Sequence, residues 1–204
     1  MATLALAEAL DRSQISSRLV QKLRFAWWTG EEIGLLGSTY YVKDLKKNSP
    51  AELNAHLLTI DTDMIASSNY VRGLWDASQL EDKKLAHACG LIQDVFKQHF
   101  NSKNLDTTPF YFNGRSDFAP FMDEGIPSGG VITGEDEIKT IEGAASFGGV
   151  VGMVLDPCYH QDCDRVETLS AGPARDILVQ NLDALSFVLQ YFATHSSLVS
   201  SLWN

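Results

Sequence analysis

The chain has 204 residues, 45% of them hydrophobic and 21% charged, a balance that supports a sizeable core and excludes a linker or low-complexity segment. A formal net charge of -10 repels phosphate backbones, so nucleic acid is excluded as an expected partner. No apolar run reaches the roughly 20 residues that cross a bilayer, which excludes a helical membrane span.

In chain order, the Ala/Leu-rich opening carries Glu8 inside its apolar stretch and lacks a basic start. It reads as an amphipathic helix over 1–12 rather than a signal peptide. Leu23-Arg-Phe-Ala-Trp-Trp28 predicts a buried strand entering a turn at Thr29-Gly-Glu-Glu32, followed by a helix over 38–47 that ends at Asn48-Ser-Pro50. A second buried strand, 56–60, delivers Asp61 and Asp63. Leu85, Cys89, Ile92 and Phe96 mark one stripe of a helix over 81–100. A strand near 109–112, a short helix over 117–124 and a strand over 127–132 come next. Residues 134–175 are Gly- and Asp-rich without periodicity and read as a long functional loop region. Leu178, Leu182, Leu185, Leu189 and Phe192 make the last helix amphipathic. Strands alternating with helices of this length predict a three-layer α/β sandwich, its mixed, mostly parallel sheet flanked by helices, in one domain.

Ligands of such sheets bind beyond the carboxyl ends of the strands, where Glu31, Glu32, Asp61 and Asp63 fall. A metal hydrolase needs one carboxylate on the ion and another beside it as base, and neighbours in a turn bracketed by Gly30 and Gly34 can divide those roles. A solvated surface pair is the plain alternative. Asp61 and Asp63, two apart, share a face of an extended strand, although each also suits a cap or turn. His160 completes a carboxylate–carboxylate–imidazole set suited to zinc. Cys158 and Cys163 bracket it, a loop spacing that fits either a small disulfide ring or two reduced thiols.

Five ordered blocks carry a resemblance: Arg24-Phe-Ala-Trp-Trp-Thr-Gly-Glu-Glu-Ile-Gly-Leu-Leu-Gly-Ser38; Asp61-Thr-Asp-Met-Ile-Ala-Ser; Gly114-Arg-Ser-Asp-Phe-Ala-Pro-Phe121; Gly125-Ile-Pro127 leading to Gly134-Glu135; and Asp156-Pro-Cys-Tyr-His-Gln-Asp-Cys-Asp164. Together they resemble the co-catalytic di-zinc aminopeptidases of the bacterial leucyl and secreted fungal type, whose zinc-dependent exopeptidase fold glutaminyl cyclases share. The resemblance implies Glu31 as general base, Glu32, Asp63 and His160 as zinc ligands, and Tyr159 as oxyanion donor. It also implies Arg115 at the substrate end, a Cys158–Cys163 disulfide, secretion, and hydrolysis of N-terminal residues from peptides with two zinc ions. Asp61 departs from the Asn usual at its position.

Five protein ligands are expected of such a site, and three are found. The other two, a histidine of a His-x-Asp motif and a bridging aspartate, would precede Met1. The chain is therefore expected to be an inactive, N-terminally truncated portion that exposes apolar strand edges. A non-catalytic binding module of the same fold and a glutaminyl cyclase-like transferase are the competing readings.

Overall fold

The computed structural model describes residues 2–13 and 18–195. Helix α1 (Ala2–Arg12) packs on the C-terminal helix α7 (Gly172–Thr194). The chain then forms α2 (Leu36–Asn48), α3 (Pro50–Asn54), β1 (Thr59–Asp61), β2 (Gly73–Asp76), α4 (Lys83–Ser102) and β3 (Thr108–Tyr111). Helix α5 (Ala119–Asp123), β4 (Ser128–Ile132), α6 (Ile141–Phe147) and a 3₁₀ turn at Val166–Leu169 precede α7.

The sheet order is β1-β4-β2-β3. Strands β1 and β4 pair parallel, as do β2 and β3, whereas β2 and β4 run antiparallel. Alternation of side chains along the strands sends neighbours to opposite faces. Leu74 and Val131 join Ile92, Phe96, Leu185 and Val188 in the core beneath α4 and α7. Trp75 and Ile132 point the other way and pack with Phe118. Both faces of the sheet are thus covered, the three-layer arrangement expected. Gly129 allows the close approach of α4 to β4, since a Cβ there would lie 2.3 Å from Ile92 Cγ2.

Two differences from the sequence reading stand out. Lys22–Trp28 has no ladder partner among the described residues and belongs to no sheet there; Trp27 is 58% exposed. Inside the Gly-rich region lies α6, capped by the Thr140 hydroxyl accepting from Gly143 N–H at 2.9 Å. The region is tied down by Lys139, 1% exposed, whose ammonium donates to the carbonyls of Asn69 and Tyr70 and faces the Tyr70 and Phe147 rings. Burial pushes its pKa down.

Candidate active site

Beyond the carboxyl end of β1 a cleft of about 470 Å³ gathers Glu31, Glu32, Asp63, Arg115, Tyr159 and His160, with Glu135 added. Six residues singled out in the sequence therefore meet in one place.

Glu31 and Glu32 stand on a nested turn. Gly34 and Leu35 N–H donate back to the Glu31 carbonyl at 3.0 and 2.9 Å, and Leu36 N–H to Gly30 at 3.0 Å. Gly30, at φ 65°, adopts the left-handed conformation that glycine enters without strain. Burial first, and then the charges of Asp63 and Glu32, raise the Glu31 pKa to about 6.

Asp61 ends β1, and Asp63 follows two residues later on the same side. Ser116 Oγ lies 3.1 Å from Asp61 Oδ2 and 3.0 Å from Asp63 Oδ2, so one hydroxyl proton is shared by two carboxylates. Burial, with the nearby Asp63 charge, pushes Asp61 up to about 7. Ser116 escaped the sequence reading because a lone serine inside a motif carries no signal of its own.

The loop 156–164 is closed by the Cys158–Cys163 disulfide, with Cα atoms 5.3 Å apart, while Cys89 is free and buried. Cys158 N–H donates to Asp156 Oδ1 at 2.9 Å and Gln161 N–H to the Cys158 carbonyl at 2.9 Å. His160 is held at φ 56°, a left-handed conformation uncommon outside glycine. Its Nε2 lies 3.2 Å from Glu32 Oε2.

Arg115 Nη2 reaches Glu135 Oε2 at 3.3 Å and Tyr159 Oη at 3.5 Å. Glu135 is 6% exposed, and burial raises its pKa while Arg115 pulls it down. Burial is also the main cause that raises the Tyr159 pKa, which keeps the phenol protonated as a donor. Glu135 sits in the Gly134-Glu135 pair, whose sequence alone assigns it no role.

The donors can be tested against zinc. Two ligands on one tetrahedral ion at bond lengths of roughly 2.0–2.1 Å sit about 3.3 Å apart. The 3.2 Å between His160 Nε2 and Glu32 Oε2 fits that spacing. Asp63 lines the same cleft without closing a triad with them. Among the described residues, the one group with donor atoms all within 4.8 Å of one another is Glu135, Asp136 and Glu137.

The model of peptidase family M28 matches residues 1–184. An Aspergillus fumigatus protein named "Probable leucine aminopeptidase 2" is 36% identical over 194 residues, covering 95% of this chain and 36% of that protein. A Pseudomonas aeruginosa aminopeptidase is 34% identical over 182 residues, 88% of this chain and 32% of its own length. The chain thus spans about a third of the curated relatives it matches. Among solved structures, a zinc aminopeptidase from Bacillus subtilis superimposes with a TM-score of 0.67 at 21% identity, over 96% of this chain and 41% of that one.

Proposed function

The chain belongs to peptidase family M28, and from that premise we propose that it is the larger part of one catalytic domain of a zinc aminopeptidase that hydrolyses N-terminal residues from peptides. The observation that carries this reading is the single cleft shared by Glu31, Glu32, Asp63 and His160, which favours hydrolysis over a binding module.

Glu32 and His160 would hold one ion, on the strength of their 3.2 Å separation. Asp63, which does not join them within a single coordination sphere, supports a second ion position. Bound zinc would supply Lewis-acid polarisation of the scissile carbonyl and lower the pKa of a water. Glu31, whose raised pKa suits proton transfer near neutrality, takes a proton at its carboxylate and returns it to the leaving amine. Tyr159 donates from Oη to the developing oxyanion, and Arg115 holds that phenol in place. The disulfide in the His160 loop supports an oxidising, extracellular setting.

Substitution separates the roles. Glu32→Gln and His160→Ala should each lose zinc, measured by metal analysis of dialysed protein, while Glu31→Gln should retain it, because a base contacts the water rather than the ion. In an active form, Glu31→Gln should lower kcat by about 10²-fold or more. Full activity in that variant would remove Glu31 as the base.

A further inference from the structure

One carboxylate in the cleft takes no part in the chemistry proposed above. Glu135 lines the cleft beside Met64, Arg115 and Tyr159. Its backbone is fixed on both sides: the N–H donates to Glu137 Oε2 at 2.8 Å, and the carbonyl accepts from Asp156 N–H at 2.9 Å. The side chain is 8% exposed, and a buried carboxylate is costly unless its oxygens are paired. Those of Glu135 are paired incompletely. Arg115 Nη2 stands 3.3 Å from Oε2 without the alignment of a hydrogen bond, and Oε1 accepts no hydrogen bond among the described residues.

The charge around this carboxylate is one-sided. The ligand oxygens of Glu135, Asp136 and Glu137 all lie within 4.8 Å of one another. Three carboxylates therefore face the Arg115 guanidinium, which is half exposed and divides its Nη2 between Glu135 and Tyr159. A second cation seated on Glu135 would still meet net negative charge. Glu135 is also within electrostatic reach of the reacting groups: its charge helps to raise the Glu31 pKa, and that of Asp63 helps to raise its own.

We propose that Glu135 sets the specificity of the cleft, selecting an N-terminal residue with a cationic side chain, lysine or arginine, whose head pairs with the free Oε1 edge. That the cation belongs to an N-terminal residue rests on the peptidase reading; recognition of the cation does not. Met64 offers apolar surface along which the methylene stem can lie. A carboxylate has lone pairs for several donors, so Arg115 need not leave. Asp136, exposed beside the site, adds to the attraction for an incoming cation. A Glu135 that served only to brace Arg115 would be expected to form an aligned, bidentate pair, which it does not. An anionic side chain drawn to Arg115 would meet the same three carboxylates and be repelled.

The test is an NMR titration of the 204-residue chain with L-lysinamide and L-norleucinamide, which differ in the side-chain ammonium. Ionic strength is held near 0.15 M, where exposed charges more than about 8 Å apart are largely screened. Lysinamide should shift the Glu135 and Arg115 amide signals saturably and bind about tenfold or more tightly than norleucinamide, the effect of one charge-assisted pair. Glu135→Gln should abolish that preference, whereas Arg115→Gln should keep or strengthen it by removing a competing cation. Were Glu135 only a brace, the two variants would behave alike. The proposal is overturned if wild type binds both ligands equally, or if lysinamide gives no saturable shift up to roughly 20 mM. It is equally overturned if Glu135→Gln keeps the preference, which would trace it to the overall charge of -10, or if Arg115→Gln loses it. None of these readouts involves turnover. If lysinamide is preferred but no active form cleaves peptides, the peptidase reading fails and the cation site stands.

Discussion

Asp61 illustrates how a single carboxylate can oppose the fold that holds it. Its side chain shares the Ser116 hydroxyl with Asp63, and burial has moved its pKa to about 7. A carboxyl group whose folded pKa is raised contributes stability that is present at low pH and is lost as pH rises through the folded value. Asp61→Asn keeps an oxygen for Ser116 to donate to and removes the titration. Wild type should therefore lose more stability between about pH 4 and 7 than the Asn variant, in which the raised Glu31 carboxyl still titrates. One pKa unit corresponds to roughly 1.4 kcal/mol, which sets an upper bound on the order of 4 kcal/mol. Urea midpoints for both proteins at pH 5 and pH 8 check this; equal slopes with pH would mean that the Asp61 carboxylate is well solvated. Glu31 follows the same sign through about 6, so the residue proposed as base also loses stability as pH rises.

At the scale of elements, the contact between α4 and β4 is a tight constraint. The Cγ2 of Ile92 is fixed on a branched Cβ and cannot swing away from a methyl at position 129. Gly129→Ala should cost about 1–3 kcal/mol by overpacking. Ile92→Ala should cost about 2–5 kcal/mol by leaving a cavity, and the double variant less than the sum, because each change relieves the other. Additive losses in urea melts would show that the helix shifts without strain. The sequence made α4 and α7 legible through their apolar stripes, and Glu31, Glu32, Asp63 and His160 through the motifs around them. It did not reveal β2, because Gly73-Leu-Trp-Asp76 is too short to show a period. Leu23–Trp28 has the composition of a strand, but pairing is a property of neighbours, and none is present among the described residues. Ser116 and Glu135 act through contacts across 53 or more positions and with Arg115, 20 away, which no local pattern encodes.

For the molecule as a whole, the distribution of histidines limits what the chain can do alone. His56 packs against Tyr41 and Phe121, His99 pairs with Asp183 at 3.2 Å, and His195 reaches the Tyr191 carbonyl at 2.9 Å; His160 is the histidine lining the cleft. With three candidate ligands, the isolated chain is expected to show no zinc-dependent turnover of an amino-acid nitroanilide; turnover abolished by chelator would show that three suffice. Lys139 has a consequence of another kind. Its amine is enclosed by two carbonyls and two rings that join residues about 70 positions apart in sequence. Depressed basicity would favour acylation, and enclosure forbids it, so enclosure decides the outcome. A succinimidyl ester should acylate this lysine last in native protein and promptly in denaturant, as read by peptide mass spectrometry. Its labelling rate then serves as a clock for opening: a rate equal to that of global unfolding joins the 134–155 region to the cooperative unit, and a faster one sets it apart.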